Sequence, residues 1–221
     1  MSYNFFATIS RMKYIQRWAL MRNSRPENLS EHSLEVAMIA HAHCTIGNVR
    51  YGRNLDGEKA ALISLYHDAS EIITGDMPTP VKYFNHDIRD AYKEVEEKAE
   101  DRLLSQLPDD LRPEYERIFR IDAGDAAILE DAANIDSEKA ALLAKARKEE
   151  QYMRELVKAA DKISAMIKCI AEENSGNAEF RTAKTTIEGA LLEMRKSHPE
   201  VGDFMDEFME PYGNTLDELL S

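Results

Sequence analysis

Two histidine-containing motifs carry the residue types that bind divalent metal ions. His67 and Asp68 form a His-Asp dipeptide that is followed closely by Glu71, and His32 opens an earlier segment that is apolar on nearly every side. Imidazole suits transition metals and carboxylate suits hard or borderline ions, whereas no nearby thiolate would select a closed zinc site. This donor set fits a divalent ion that also keeps a bound water.

Each of these residues also has a purely structural interpretation. A lone buried histidine is more often satisfied by a backbone carbonyl than by a metal, and a helix whose polar side reads HDASE can simply face solvent. Other catalytic templates are missing, since the sequence has no Walker-type loop, dinucleotide-binding glycine motif, Gly-x-Ser-x-Gly elbow or His-Glu-x-x-His. We interpret His41 and His43 as structural, and His86-Asp87 as a helix start with Asn85 or Asp87 as N-cap.

The distribution of charge indicates the size of the substrate. The chain has 28 basic and 41 acidic residues, and the resulting net charge of -13 disfavours polymeric nucleic acid and favours a small substrate. Residues 1–26 contain no Asp or Glu, so a small anion could be held there, although a solvated basic face is the alternative. The basic residues of this segment are Arg11, Lys13, Arg17, Arg22 and Arg25.

Apolar residues recur at spacings of three and four, which predicts an all-helical protein. On a continuous helix over 57–74, His67, Asp68 and Glu71 would share the polar side. Pro78 and Pro80 predict a stiff loop after that helix. The predicted helices span residues 29–46, 57–74, 87–107, 113–121, 137–174, 177–196 and 200–220.

The remaining composition predicts a single cytoplasmic domain over residues 1–221. Cys44 and Cys169 lie far apart and are interpreted as two buried thiols, with no disulfide. No stretch resembles a signal-peptide core or a membrane span. Residues 121–150 are rich in alanine and charge and are the least predictable segment.

Four blocks of sequence, taken together, resemble the HD-domain metal-dependent phosphohydrolases, and within them the bacterial YfbR-like 5'-deoxynucleotidases. The similarity extends over most of residues 5–220 and is weakest at 121–150, where we expect an insertion that is atypical of the family. The blocks are RWALMRN at 17–23, ENLSEHSLEVAMIAHA at 27–42, YHDASEIITGDMPTPVKYF at 66–84 and KAADKISAMIKC at 158–169.

The resemblance implies an all-α, HD-domain helical bundle that is typically dimeric and holds one divalent cation. The cation would be Mn, Co, Mg, Fe or Zn, and its ligands would be His32, His67, Asp68 and Asp161. The catalytic groups would be Glu71, in a proton-transfer role, Arg17, which orients the phosphate, and Asp76. The substrate-binding residues would be Arg17, Trp18, His32, Asp68, Asp76, Met77, Pro78, Thr79 and Asp161, with Trp18 near the sugar, where its bulk could disfavour a 2'-hydroxyl.

The implied reaction is hydrolysis of deoxyribonucleoside 5'-monophosphates to deoxynucleoside and phosphate. Three alternatives stay open at this point. The protein could be an HD phosphohydrolase that acts on another nucleotide, a non-catalytic helical sensor that binds nucleotide or metal, or a helical interaction protein with an acidic surface. Retention of Glu71 and of every implied metal ligand favours catalytic turnover over sensing.

Overall fold

The computed structural model describes residues 2–82, 84–120 and 137–221, apart from the side chains of residues 137–139 and 143. Within these ranges every regular element is a helix, and the one β contact is an isolated antiparallel bridge between Gln16 and Asn28. The all-α prediction is therefore confirmed. Of the segment in which we expected an insertion, residues 121–136 lie outside the described part of the chain.

The α-helices of the described residues are numbered here in chain order, and short 3-10 helices accompany some of them. The 3-10 helices are Ser10–Tyr14, Ala178–Phe180 and Glu210–Gly213. The α-helices are α1 (Phe5–Ile9), α2 (Leu29–Tyr51), α3 (Gly57–Tyr66), α4 (Glu71–Thr74), α5 (Thr79–Lys82), α6 (His86–Leu104), α7 (Arg112–Phe119), α8 (Ser137–Asn174), α9 (Arg181–Ser197), α10 (Pro199–Phe208) and α11 (Leu216–Leu219).

The chain forms two compact units, of which the first comprises Met1–Leu20, Pro26–Ser33 and Leu65–Ala146. Its core centres on Phe5, which is almost fully buried among Leu103, Leu104 and Leu107. Aromatic rings complete this cluster, because Tyr115 meets Phe5 edge-on with ring centroids 5.0 Å apart. Such an arrangement adds directional contacts to the burial of apolar surface.

The second unit comprises Met21–Arg25, Leu34–Ser64 and Arg147–Ser221. Its core is built from the buried apolar sides of α2 and α8, including Ile39 and Leu156. His43 is buried in this unit, and its Nδ1 lies 3.2 Å from the carbonyl oxygen of Leu156. The structural interpretation of His43 is therefore confirmed.

The first turn of α2 is fixed by reciprocal capping. The side-chain oxygen of Asn28 accepts hydrogen bonds from the backbone N–H groups of Ser30 and Glu31, and the Glu31 carboxylate accepts one from the N–H of Asn28. These bonds satisfy donors that a helix start leaves without partners inside the helix. They hold the turn that contains His32.

The predicted helix over residues 57–74 is wrong in its middle. The helix α3 ends at Tyr66, and a turn over residues 67–70 separates it from α4. In this turn the N–H of Ala69 bonds to the carbonyl of Tyr66, and that of Glu71 bonds to the carbonyl of Asp68, each at 3.0 Å. Because Ala69 is fully buried in the Phe5 cluster, packing of the turn outweighs continuation of the helix.

Other predicted segments also differ from the structure. The helix α2 continues to Tyr51, five residues beyond its predicted end at residue 46. A one-turn helix, α5, forms in the expected loop, with Pro80 in its first turn, where a proline removes no helical hydrogen bond. The predicted helix over 200–220 is divided by a 3-10 turn that contains Pro211 and Gly213. The start of α6 follows the prediction, because Asn85 is its N-cap and accepts the N–H of Ile88 at 2.8 Å.

Two further observations bear on the compositional predictions. Cys44 and Cys169 are buried thiols, as predicted. Among the described residues, no helix combines the length and apolar character required to cross a membrane.

Candidate active site

Three predicted metal ligands lie together in the first unit. His32 belongs to the first turn of α2, while His67 and Asp68 begin the turn after α3. One ligand atom from each residue lies within 4.8 Å of the others. The Oδ2 atom of Asp68 is 3.1 Å from Nε2 of His67 and 3.6 Å from Nε2 of His32. Two imidazoles and one carboxylate in this arrangement fit a divalent cation of the transition series.

The turn over residues 67–70 explains how neighbours in sequence meet in space. Adjacent side chains on a regular α-helix diverge, yet the side chains of His67 and Asp68 lie within hydrogen-bonding distance of each other. The break in the helix after Tyr66 therefore allows both side chains to reach the same site. The turn is held in place by Ala69, which is fully buried.

Arg17 lies beside this cluster. Its Nη1 donates to Oδ2 of Asp68 at 3.3 Å, and its Nε donates to Oε1 of Glu27 at 2.9 Å. The Arg17 side chain is only 11% exposed, so solvent screens these contacts weakly. A guanidinium group presents a planar fork of donors that matches a phosphate, and here that fork adjoins the predicted metal ligands.

Trp18 has an unusual backbone conformation. Its φ angle is 57°, in the left-handed region, which costs a residue with a side chain about 1 kcal/mol. The backbone N–H of Trp18 donates to Oδ2 of Asp76 at 2.9 Å. Asp76 follows Gly75, which ends α4 with a φ of 75°. The structure therefore brings Asp76 to Trp18, and Trp18 is adjacent in the chain to Arg17.

The two carboxyl groups nearest the histidines have opposite electrostatic surroundings. Burial raises the pKa of Glu71 to about 9, with Asp68 and Asp76 adding to the rise and Arg17 and Lys82 opposing it. Burial also acts to raise the pKa of Asp68, but His67, His32 and Arg17 together hold that pKa well below its usual range. Asp68 is therefore a charged ligand for a cation, while Glu71 is a group that can hold a proton.

The other predicted residues occupy less enclosed positions. Met77 and Pro78 are half-buried and Thr79 is exposed, directly after Asp76 in the first unit. Asp161 lies on α8 in the second unit and is half-buried. Its role as the fourth metal ligand stays a prediction.

Sequence reasoning missed Glu27, which binds Arg17 through both its side chain and its backbone carbonyl. One signal for it was available. Glu27 is the first acidic residue of the chain, directly after 26 residues that contain none.

Comparison with known proteins agrees with this geometry. The family model described as 5'-deoxynucleotidase YfbR-like matches residues 4–141 and 133–212. The chain belongs to this family. A curated relative of the YfbR-like family, 5'-deoxynucleotidase YfbR of Escherichia coli (strain ATCC 8739), is 44% identical over 216 residues, covering 98% of this chain and 95% of the relative. The family predicted from the four sequence blocks is thereby confirmed.

Solved structures are similar to this YfbR-like chain over nearly its whole length. An HD-domain phosphohydrolase from Listeria innocua has a TM-score of 0.72 at 20% identity, with 95% of this chain and 88% of that chain covered. A cyanophage S-2L HD phosphohydrolase, bound to dA and one catalytic Zn²⁺ ion, has a TM-score of 0.58 at 19% identity, with 97% and 100% covered. At these identities the similarity shows the fold, and it confirms the HD-domain prediction.

Proposed function

We propose that this protein is a divalent-metal-dependent phosphohydrolase that removes the 5'-phosphate from deoxyribonucleoside 5'-monophosphates. The observation that carries the proposal is the placement of Arg17 beside the cluster of His32, His67 and Asp68. A guanidinium group that binds phosphate and a metal site that activates water together suit the hydrolysis of a phosphomonoester dianion. The name of the E. coli relative, 5'-deoxynucleotidase, supplies the class of substrate.

In the proposed site, His32, His67, Asp68 and Asp161 would hold the divalent ion. When bound, such an ion acidifies water and polarises phosphoryl oxygens. Arg17 binds the phosphate through its guanidinium fork and is kept next to Asp68 by the 3.3 Å contact. Placement of Asp161 in this set rests on the family resemblance. It is tested by the affinity of Asp161→Ala for Mn²⁺ in calorimetry, which we expect to be weakened.

Glu71 holds the proton that the reaction must move. Its raised pKa keeps its carboxyl group protonated in the buried site until a cation or the substrate changes the local charge. From that state it can protonate the leaving 5'-oxygen of the nucleoside, and in ionised form it can accept a proton from water. General acid–base catalysis of this type contributes about 10²- to 10⁴-fold in rate.

Trp18 and the residues after Gly75 would bind the nucleoside. We propose that Trp18 lies near the sugar and that Asp76, Met77, Pro78 and Thr79 line the nucleotide site. The bond between the Trp18 N–H and Asp76 supports this, because it joins the two segments. A bulky ring held at a fixed backbone position would disfavour a 2'-hydroxyl and so select deoxyribose.

Phosphate release from matched dAMP and AMP tests the proposal. The protein is stripped of metal and then given Mn²⁺, Co²⁺, Zn²⁺ or Mg²⁺. We expect metal-dependent release from dAMP well above AMP, background release from His67→Ala, and unchanged release from the matched control His86→Ala. His86 belongs to the second His-Asp dipeptide and is exposed at the start of α6. Equal rates with dAMP and AMP would refute the proposed role of Trp18. The absence of phosphate release with every metal would refute the proposed phosphohydrolase activity.

We also propose that the protein is a homodimer. Three apolar residues of α2 are exposed, namely Leu34 (55%), Met38 (60%) and Val49 (78%). Their spacings of 4 and 11 residues place them on one side of the helix, and a group of exposed apolar side chains is typical of an interface. Light scattering at micromolar concentration tests this, with Met38→Glu expected to shift the protein towards monomer. A molar mass equal to one chain for the unaltered protein would contradict the proposal.

We propose that the enzyme is cytoplasmic. The two buried thiols support this location, because reducing conditions keep cysteines in the thiol form. Fractionation of cells that express the protein tests the location.

A further inference from the structure

We infer that Glu27 is a positioning residue for catalysis, which orients the phosphate-binding Arg17 and favours the metal-binding tautomer of His32. This inference rests on the proposed function.

Glu27 is tied to Arg17 through the backbone. The N–H of Arg17 donates to the carbonyl of Glu27 at 2.8 Å, next to the antiparallel bridge between Gln16 and Asn28. The N–H of Leu29 donates to the carbonyl of Ile15 at 3.0 Å. These bonds join the segment that carries Arg17 to the segment that enters α2, so Glu27 lies at a fixed position relative to both.

The side chain of Glu27 orients the guanidinium group. Its Oε1 accepts the Nε–H of Arg17 at 2.9 Å, while Nη1 of the same group reaches Asp68 at 3.3 Å. Two carboxylates on different edges fix the plane of the guanidinium. The Glu27 side chain is 16% exposed and that of Arg17 is 11% exposed, so the charge-assisted bond is only weakly screened.

The same carboxylate oxygen faces His32. Oε1 of Glu27 is 4.0 Å from Nδ1 of His32, whereas Nε2 of that ring is 3.6 Å from Asp68. A carboxylate near the second ring nitrogen of a metal-binding histidine favours a proton on that nitrogen and leaves the other free to bind metal. At 4.0 Å the influence of Glu27 is electrostatic, since a direct hydrogen bond is shorter.

The neighbouring acid, Glu31, has a different task. It accepts the N–H of Asn28 and is part of the cap of α2. Glu31 therefore offers a matched control, because its removal affects the same turn but leaves the carboxylate that contacts Arg17. We expect Glu31→Ala to lower thermal stability slightly and to keep kcat/KM within about twofold.

The test compares Glu27→Ala and Glu27→Gln with the unaltered protein and with Glu31→Ala. We expect Glu27→Ala to lower kcat by about 10- to 100-fold and to weaken Mn²⁺ binding, measured by calorimetry, by a comparable factor. Glu27→Gln keeps an oxygen that can accept the Arg17 Nε–H but lacks the charge. It should recover much of the loss in kcat and little of the loss in Mn²⁺ affinity.

A double-mutant cycle shows whether Glu27 acts through Arg17. In the Arg17→Ala background, Glu27→Ala should reduce kcat/KM much less than it does in the unaltered protein. The effects of two mutations do not add when the two residues act through each other. Full additivity in kcat/KM would overturn the action through Arg17. Values of kcat and Mn²⁺ affinity for Glu27→Ala that equal those of Glu31→Ala would overturn the whole inference while leaving the proposed function intact. If the unaltered protein releases no phosphate, the function fails, and Mn²⁺ affinity alone then decides the effect on His32.

Discussion

In the candidate site, Asp68 and Glu71 are close in sequence and have pKa values shifted in opposite directions. Folding raises the pKa of Glu71 from its ordinary value of 4.5 to about 9. The contribution of this carboxyl group to the free energy of unfolding is therefore complete below pH 4.5 and is lost as the pH rises towards about 9. The buried Glu71 therefore makes the metal-free protein less stable in mildly alkaline buffer. The same burial gives the site a group that can hold a proton.

Glu71→Gln should separate these two effects. The amide does not ionise, so the metal-free variant should gain in melting temperature relative to the unaltered protein at pH 8, with a smaller gain at pH 5. Phosphate release should fall by about 10²-fold or more, because the amide can neither donate nor accept the proton. The control is Glu94→Gln, an exposed residue of α6 that pairs with Lys98. Equal shifts at both pH values would contradict the raised pKa.

Asp76 was predicted to be catalytic, and its contact with the Trp18 N–H suggests a test of that role. Asparagine retains an oxygen that can accept this N–H but cannot transfer a proton, whereas alanine has neither ability. If Asp76 acts by holding Trp18 in its left-handed conformation, Asp76→Asn should keep most activity and most preference for dAMP over AMP. Asp76→Ala should then lose much of the preference. Equal, severe losses of kcat in both variants would instead indicate proton transfer by Asp76.

At the scale of single residues, the grouping of His32, His67 and Asp68 followed from the family resemblance, because spacing alone left a structural interpretation of each residue open. His67 and Asp68 are adjacent, and the extended block around them resembles one family. Glu27 was missed because the contact that brings it against Arg17 exists only in the folded chain. Neither periodicity nor composition predicts that the segment around Gln16 pairs with the segment around Asn28 through a single β-bridge.

At the scale of elements, the segment Met21–Arg25 is held against the end of α8 within the second unit. Glu172, which is 1% exposed, accepts the N–H of Ser24 and the side-chain amide of Asn177, each at 2.8 Å, and also pairs with Lys168. Lys168 in turn donates to the carbonyl of Arg25. One buried carboxylate thus organises a segment that has no regular secondary structure of its own.

This cluster predicts a specific loss of stability in acid. Burial by itself would raise the pKa of Glu172, but bonds from Lys168, Asn177 and Ser24 outweigh it and lower the pKa to about 2. A carboxylate with a depressed pKa stabilises the fold above its ordinary value of 4.5, and that contribution disappears as pH falls towards about 2.

Glu172→Gln should therefore reduce the free energy of unfolding at pH 7 and flatten its dependence on pH between 4.5 and 2. Chemical denaturation at a series of pH values measures this. Glu188→Gln, an exposed acid on α9, is the control and should leave the pH dependence unchanged. A slope in Glu172→Gln equal to that of the unaltered protein would show that the carboxylate is not the titrating group.

The prediction of helices succeeded for the start of α6 and for both ends of α8. The long helix α8 has the predicted bounds, and α6 begins at the predicted cap. The turn over residues 67–70 escaped prediction because its sequence continues a helical pattern, and the burial of Ala69 beside Phe5 and Leu103 is a tertiary event. Local propensity is routinely overridden by such packing.

At the scale of the whole molecule, the acidic composition and the substrate are compatible because the charge is uneven. A net charge of -13 repels anions in general, but Arg17 lies in the stretch of 26 residues that contains no acid. A small anion needs only this local field, whereas a nucleic acid would also meet the acidic remainder of the surface. The composition thus favours mononucleotides over polymers as substrates.

Removal of the metal ion should lower the stability of the entire protein. An ion that binds only the folded state at 100 times its dissociation constant adds about 2.7 kcal/mol to the free energy of unfolding. We therefore expect chelation followed by dialysis to lower the melting temperature, and Mn²⁺ or Zn²⁺ to restore it. His67→Ala should show little dependence on added metal, because it lacks one of the clustered ligands, and His86→Ala should respond like the unaltered protein. A metal-dependent rise in melting temperature that persists in His67→Ala would place the stabilising ion somewhere other than at His32, His67 and Asp68.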